Sequence, residues 1–447
     1  TDARHEFLQA RETLSPADRE AAQTVDFYLA ACAVELGSRD AEAALRRFEA
    51  RYPGSVYAND VRFSLGSYYC AEGDMKRARE AFEKTDYKAL GRARKEQYDV
   101  RMGYVEFTDG DYDKAFGYFD RIGPQSEYAD HALYYKSYID YAEGRYGRAK
   151  QGFTALQRSD AYRDVVPYYL LQIEFHEGNY RYVVENGGKL VQRAVPERRR
   201  ELERVIAESW FRLGDFNRTI EHLDAFTAAG GELDRDGSYL MGFSLYRTAR
   251  YPEAAEYLRR ACGAEDALTQ NASYHLADCY LRAGDKRAAM HAFAMAADDR
   301  FDATIAEDAL FNYGNLQYEL GGGAFNGAIN VLTRYVEQYP ASPRVGEART
   351  LLIAAYYNSN DYDAAYRAIK SFPTQDADIR AALQKITYFR GLEAYNAGDM
   401  RAAQRYLAES AAINVSPNIR PSTPSGRVKS PLRRANIRSR RPNTTPI

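Results

Sequence analysis

Tyrosine is the residue type through which this chain can do chemistry. It holds 38 tyrosines in 447 residues, against one tryptophan and six histidines. Fifteen of the tyrosines lie between Tyr98 and Tyr182. A phenol ring offers a broad apolar face, few rotamers to freeze and one polar handle, so clustered tyrosines suit recognition better than bond-making. Signatures of bond-making are missing from the sequence. It has no His-Glu-x-x-His pair, no complete phosphate loop, no Gly-x-Ser-x-Gly elbow and no dinucleotide-binding glycine cluster. Gly187-Gly188-Lys189 lacks the spacing and the preceding strand of a phosphate loop. His5, His131, His176, His222, His275 and His291 are never four apart, and read as partly exposed helix residues rather than ligands. Cys32, Cys70, Cys262 and Cys279 form no Cys-x-x-Cys pair and read as small buried thiols. These absences point away from an enzyme, a metal site or a cofactor.

The elements that must position the tyrosines follow from a repeated turn. Gly37, Gly73, Gly110, Gly144, Gly178, Gly214, Ala249, Gly284, Gly323, Asn360 and Gly398 recur 34 to 39 residues apart. A period of that length means one supersecondary unit stacked many times. Around Gly110 the unit is legible. Tyr98, Met102, Gly103 and Phe107 share one helical face before the turn, and Tyr112, Ala115, Phe116 and Phe119 share one after it. Gly110 suits a helix end with positive φ, and the carboxylate of Asp111 can cap the next helix. Each unit therefore reads as helix A, tight turn, helix B. Seven residues before the turn stand the small residues Ala30, Gly66, Gly103, Ala207, Gly242, Ala277 and Gly391. Five after it stand Ala78, Ala115, Ala149, Ala254, Ala289, Ala328, Ala365 and Ala403, and four further on a large residue such as Phe82, Phe119, Phe153, Leu258 or Leu407. Small against large at fixed offsets predicts interlocking helices.

The order small residue, Gly-[Asp/Asn/Arg]-[Tyr/Phe], Ala, Phe resembles the tetratricopeptide repeat. The likeness covers roughly residues 20–415 in eleven copies. It implies an all-α, right-handed superhelical solenoid of helix-turn-helix repeats. Departures from the pattern are the extra Ser38-Arg39 in the first copy, Gly321-Gly322-Gly323 with a longer helix A in the ninth, and Val183 and Thr219 in place of alanine. Two copies end in Tyr-Pro-x-Ser, at Tyr52-Pro53-Gly54-Ser55 and Tyr339-Pro340-Ala341-Ser342, where proline stops helix B and serine can cap the next helix. Those endings resemble repeat proteins of the bacterial envelope, such as outer-membrane assembly lipoproteins and periplasmic coordinators of the Tol-Pal system, with a cytoplasmic array as the alternative.

In that family one face of helix A lines the inner, concave groove. Here the face carries aromatic residues ten, six and three residues before the turn. The resemblance implies a groove lined by Tyr104, Phe107, Tyr134, Tyr138, Tyr141, Tyr168, Tyr239, Phe243 and Tyr246, with Arg204 and Glu208 fixing register. Gln172, Asp278 and Gln317 can add hydrogen bonds. The expected ligand is a protein or peptide segment laid along the groove. Because sugars also stack on aromatic rings, a glycan such as peptidoglycan is the alternative, and an intracellular peptide-sensing array is a third reading. The structural reading of the same tyrosines is packing between adjacent helices A, with only the hydroxyl exposed.

Charge divides the chain. Residues 416–447 hold eight Arg or Lys and no acid, which leaves the rest with 53 basic and 63 acidic residues, a net of −10. An acidic array is a poor general binder of nucleic acid. The Pro-, Ser- and Arg-rich stretch 416–447 reads as a disordered tail. It is either a basic arm using Arg433, Arg434, Arg438, Arg440 and Arg441, or a flexible or aberrant end. No apolar run approaches the ~20 residues that span a bilayer. Residues 1–19 read as a remnant helix, with Ala3, Phe7, Ala10 and Leu14 in a stripe, as if a helix B had lost its helix A and the chain came from a larger parent. Ser15-Pro16-Ala17-Asp18 then reads as the capped start of the next helix.

Overall fold

The glycine register fixes the backbone. All ten turn positions among the described residues adopt left-handed φ, from +58° at Gly37 to +83° at Gly284 and Gly398. Among the described residues the two non-glycine residues with positive φ are Ala249 (64°) and Asn360 (60°), the two that stand where the other repeats have glycine. Around Gly110 the turn closes in the expected way. The amide of Gly110 donates to the carbonyl of Phe107 at 3.1 Å, and that of Asp111 to Glu106 at 3.0 Å, which satisfies the last free carbonyls of the helix. Asp111 then accepts from the amide of Lys114 at 3.1 Å and starts the next helix.

A computed structural model describes residues 2–15, 18–321, 325–372, 377–413 and 415. They fall into two units, one up to Tyr182 and one from Val183. In the first, α1 (Asp2–Thr13) precedes the pairs α2 (Arg19–Glu35) and α3 (Ala41–Arg51), α4 (Ala58–Ala71) and α5 (Met75–Glu83), α6 (Arg92–Thr108) and α7 (Tyr112–Phe119), and α8 (Ala129–Ala142) and α9 (Tyr146–Leu156). Next come α10 (Val166–His176) and α11 (Tyr180–Val191), within which the division falls. The second unit continues with α12 (Pro196–Leu213) and α13 (Phe216–Ala228), α14 (Arg235–Arg247) and α15 (Tyr251–Ala261), and α16 (Ala267–Arg282) and α17 (Lys286–Asp298). It ends with α18 (Ala303–Leu320) and α19 (Asn326–Gln338), α20 (Val345–Ser359) and α21 (Tyr362–Ser371), and α22 (Ala377–Asn396) and α23 (Met400–Ile413). Among the described residues every regular element is a helix, and each unit is a stack of helix-turn-helix repeats. The turn at Gly323 and the whole of 416–447, with its arginines, lie outside the described residues.

Small-against-large interlocking is what holds each pair. A Cβ placed on Gly66 would stand 2.7 Å from the ring of Phe82, and one on Gly103 would stand 2.8 Å from Phe119. Gly242 meets Leu258 and Gly391 meets Leu407 in the same way. In the ninth repeat, whose α18 is longer, Gly314 takes this role against Leu332 at 2.8 Å. Val183 and Thr219, the substitutes for alanine, are both fully buried.

Two local expectations are corrected. Ser55 and Ser342 do not cap the following helix. Their hydroxyls accept from the amides of Tyr57 at 3.0 Å and Arg344 at 3.1 Å, each only two residues on, which shapes the turn ahead of the helix. Asp18 stands at the start of α2 without a side-chain cap, and Pro16 and Ala17 lie outside the described residues. In α1, Phe7 stacks on Tyr28 with ring centres 5.0 Å apart, and Arg11 pairs with Asp26 at 2.6 Å.

Candidate partner-binding faces

In the first unit the aromatic residues make one connected chain of rings. Phe107 on α6 lies edge-on to Tyr138 on α8 at 5.2 Å, and Tyr138 lies edge-on to Tyr169 on α10 at 5.6 Å. Tyr141 joins the same ring of Tyr169 at 5.6 Å, and Tyr104 reaches Tyr135 at 5.7 Å. The expected site residues Tyr104, Phe107, Tyr134, Tyr138, Tyr141 and Tyr168 are all half-buried, with part of each ring open to solvent. Tyr134 is the most committed to packing. It stacks on Tyr162 at 4.5 Å and its hydroxyl donates to that of Tyr169 at 3.3 Å. Burial raises the hydroxyl pKa of Tyr138, so the ring keeps its proton and presents a donor.

Tyr135 and Tyr169, which sequence reasoning passed over, anchor this face. Tyr135 stacks on Phe119 at 5.2 Å and Tyr169 on Phe153 at 4.9 Å, each reaching the large residue of the preceding helix B. Burial pushes the Tyr135 hydroxyl up to about 12. The signal was present as the doublets Tyr134-Tyr135 and Tyr168-Tyr169. In the second doublet Tyr168 is half-buried and Tyr169 buried, whereas Tyr134 and Tyr135 are both half-buried and differ in the rings they pack against.

The second unit treats the same offsets differently. Tyr239 and Phe243 are only 8% and 3% exposed, which corrects the expectation that they face a ligand. Phe243 is enclosed by Phe211 at 5.6 Å, Phe216 at 5.8 Å and His275 at 4.9 Å. Tyr246 is half-buried and donates to Asp278 Oδ2 at 2.7 Å, where Arg282 Nε also donates at 2.8 Å. Arg204 is exposed and pairs with Asp234 at 3.1 Å, and Glu208 pairs with Arg212 at 3.3 Å. Gln172 is buried, and Gln317 donates to the Tyr313 hydroxyl at 3.1 Å. Several of the polar groups expected to meet a ligand are thus engaged within the fold.

Among the histidines, His275 departs from expectation. It is 5% exposed, and neither ring nitrogen has a hydrogen-bond partner. Burial lowers its pKa to about 4, with Arg247 adding to the shift and Asp278 opposing it. His131 meets the Tyr162 hydroxyl at 2.7 Å, and His222 meets Glu203 at 2.6 Å. The four cysteines are free, and burial pushes Cys70 up to about 11 and Cys279 up to about 12. Among the described residues no cluster of His, Cys, Asp and Glu could hold a metal ion. An acid-lined depression around Asp109, Asp111, Asp113 and Glu143 has three of its four carboxylates paired, Asp109 with Arg79, Asp111 with Lys114 and Glu143 with Arg145. No helix among the described residues is long and apolar enough to cross a membrane.

Comparison with known proteins agrees with the repeat register. A tetratricopeptide repeat family model matches residues 239–304. A family model described as outer membrane lipoprotein matches residues 305–416. No curated protein matches the chain. Among solved structures, a tetratricopeptide repeat protein from Parabacteroides merdae is 14% identical and covers 65% of this chain and 98% of its own, with a TM-score of 0.35. The Naa15/Naa10 complex bound to HypK-THB is 16% identical, covering 88% of this chain and 63% of its own at a TM-score of 0.33. Human IFIT1 dimer with m7Gppp-AAAA is 14% identical, covering 92% and 94% at a TM-score of 0.27. Likeness at that level carries no argument about what this chain binds.

Proposed function

We propose, for a chain that belongs to the tetratricopeptide-repeat proteins, that it is a non-enzymatic scaffold holding a protein segment against the tyrosine face of its first unit. Repeats of this family make protein–protein interaction scaffolds. The observation that carries the finer reading is the unbroken chain of half-open rings from Tyr104 and Phe107 through Tyr135 and Tyr138 to Tyr141, bridging α6 and α8. Rings already fixed by their neighbours lose little entropy when a partner docks, which favours a pre-organised recognition surface. Tyr168 extends the face on α10. The match of residues 305–416 to the outer membrane lipoprotein model supports a bacterial envelope as the setting.

The test is a pull-down from envelope and cytosolic fractions with the intact chain and with a Tyr104→Ala, Tyr138→Ala, Tyr168→Ala variant of matched thermal stability. This set leaves out Tyr134, whose ring is needed for packing. We expect a partner captured by the first and lost by the second, enriched in the envelope fraction. Equal capture by both removes the tyrosine face from the proposal. Titration with soluble muropeptides separates the glycan alternative, which requires binding with no protein partner present.

A further inference from the structure

Among the described residues His275 is the one buried side chain whose polar atoms all lack a hydrogen-bond partner. Buried polar groups are nearly always paired, so an orphan of this kind asks for a reason. His275 stands on α16 nine residues before the turn, where two repeats of the first unit place Tyr135 and Tyr169. Its ring is wedged between the helices A of successive repeats. Phe243 and Tyr246 of α14 stand at 4.9 and 4.8 Å, and Tyr274 of α16 stands at 5.5 Å. The two helices pack on each other, and the neutral imidazole serves there as one more aromatic ring.

Charged groups surround the ring without pairing with it. Asp278, on the same helix, favours the charged imidazole, and Arg247 of α14 disfavours it. Asp278 Oδ2 accepts from the Tyr246 hydroxyl at 2.7 Å, which ties α14 to α16, and from Arg282 Nε at 2.8 Å. Both arginines rest on the turn aromatic of the preceding repeat, Arg247 over Phe216 at 4.5 Å and Arg282 over Tyr251 of α15 at 4.8 Å. From α18, Asp308 accepts from the Tyr274 hydroxyl at 2.7 Å and is held by Arg344 at 2.5 Å. Helix α17 meets Tyr274 through the uncharged Phe293. The carboxylate within reach of a charged imidazole is therefore Asp278, one helical turn away, and it is already committed to Tyr246.

We propose that His275 is an acid-sensing latch between α14 and α16. Neutral, it holds the two helices together. Protonated, it leaves the ring pocket, takes Asp278 from Tyr246 and frees α14, which uncovers Tyr239 and Phe243. Those two rings are buried here, whereas Tyr134 and Tyr138 at the same offsets in the first unit are half-open. Acid thus exposes in the second unit an aromatic face that neutral pH hides. A stack of repeats permits this, because one interface can open while its neighbours stay closed. The latch belongs to the second unit and is independent of whether the tyrosine face of the first unit binds a partner.

The experiment uses Cys279 as a built-in reporter. It lies one turn beyond His275 on α16 and is 1% exposed. The full chain is treated at pH 7.5 and at pH 5 with dithiodipyridine, an aromatic disulfide that still reacts in acid. Labelling of each cysteine is followed by peptide mass spectrometry. The ratio of Cys279 to Cys70, which is in the first unit, cancels the reagent's own pH dependence. With the imidazole pKa about 4 in the closed form and 6.5 in the open one, the ratio should rise about 30-fold between pH 7.5 and pH 5. His275→Leu and His275→Phe, which cannot titrate, should abolish the rise, and the phenylalanine guards against a leucine that merely packs badly. Tyr246→Phe removes the tie to Asp278 and should raise the ratio about tenfold already at pH 7.5. A flat ratio in the intact chain, a rise that survives in both His275 variants, or a Tyr246→Phe variant that labels like the intact chain at pH 7.5 would each overturn the latch.

Discussion

At the scale of single residues, His275 is the clearest instance of a group whose environment sets its chemistry. It occupies the position, nine before the turn, held by Tyr135 and Tyr169 in two other repeats, and is enclosed by Phe243, Tyr246 and Tyr274. A neutral imidazole tolerates that pocket, but a charged one loses its hydration there. Its folded pKa, about 4, lies below the usual 6.5. The unfolded chain therefore takes up a proton between those values while the folded chain does not. The stabilising contribution is complete above pH 6.5 and is lost as pH falls toward 4, amounting to about 3 kcal/mol at the low end. Chemical denaturation of the second unit across pH 4 to 7.5 should show this slope. His275→Leu, which cannot titrate, should flatten it, and an unchanged slope would assign the effect to other groups.

At the scale of the element, the turn is the part on which the repeat depends. Its left-handed residue costs an alanine more than a glycine because the Cβ crowds the neighbouring carbonyl. Ala249 adopts φ 64° nonetheless, so the surrounding helices α14 and α15 impose it. Ala249→Gly should relieve that strain and raise stability by about 1 kcal/mol, measured by thermal or denaturant melting. A loss of stability would mean that the backbone there is less crowded than its φ implies. The aspartate after the turn is the second device. Asp74, Asp215, Asp285 and Asp361 each accept from an amide at 2.9 to 3.1 Å, as Asp111 does. Arg145 and Arg250 replace it without a side-chain cap. They pair instead with Asp140 and Glu253, which holds the turn through side chains rather than through helix amides.

At the scale of the whole molecule, a stack of repeats behaves as a line of neighbours, each stabilised mainly by the next. A local lesion should therefore stay local. Gly391→Ala would place a Cβ 2.7 Å from Leu407 and force α22 and α23 apart, costing about 1–3 kcal/mol. Hydrogen exchange should show faster opening of residues 377–413 and little change in the first unit. Uniform loss of protection along the chain would show instead that the array folds as one cooperative block. The division into two units fits the changing use of aromatic positions. The first spends its helix A tyrosines on a half-open surface, whereas the second buries Tyr239 and Phe243 and sets arginines beside them.

Local chemistry made most of the fold legible in advance. A residue with positive φ, an aspartate that caps and a glycine facing a phenylalanine act within one repeat, so their signals survive in linear spacing, and eleven repetitions make them unmistakable. Even the substitution of Ala249 and Asn360 for glycine left the turns where the spacing placed them. Which side chains remain open to a partner is another matter, and only the tertiary structure decided it. Tyr134 and Tyr135 are adjacent in sequence yet meet different surroundings, and Tyr168 and Tyr239 share an offset yet differ in burial. Burial at those places depends on how helices A of successive repeats approach and what fills the space between them. That approach is set by volumes contributed from residues about 35 positions away, such as Phe211 and Phe216 around Phe243. For the same reason the seats of Arg247 and Arg282 could not be read from spacing alone. Their periodicity is in the sequence, but the rings beneath them come from the preceding repeat.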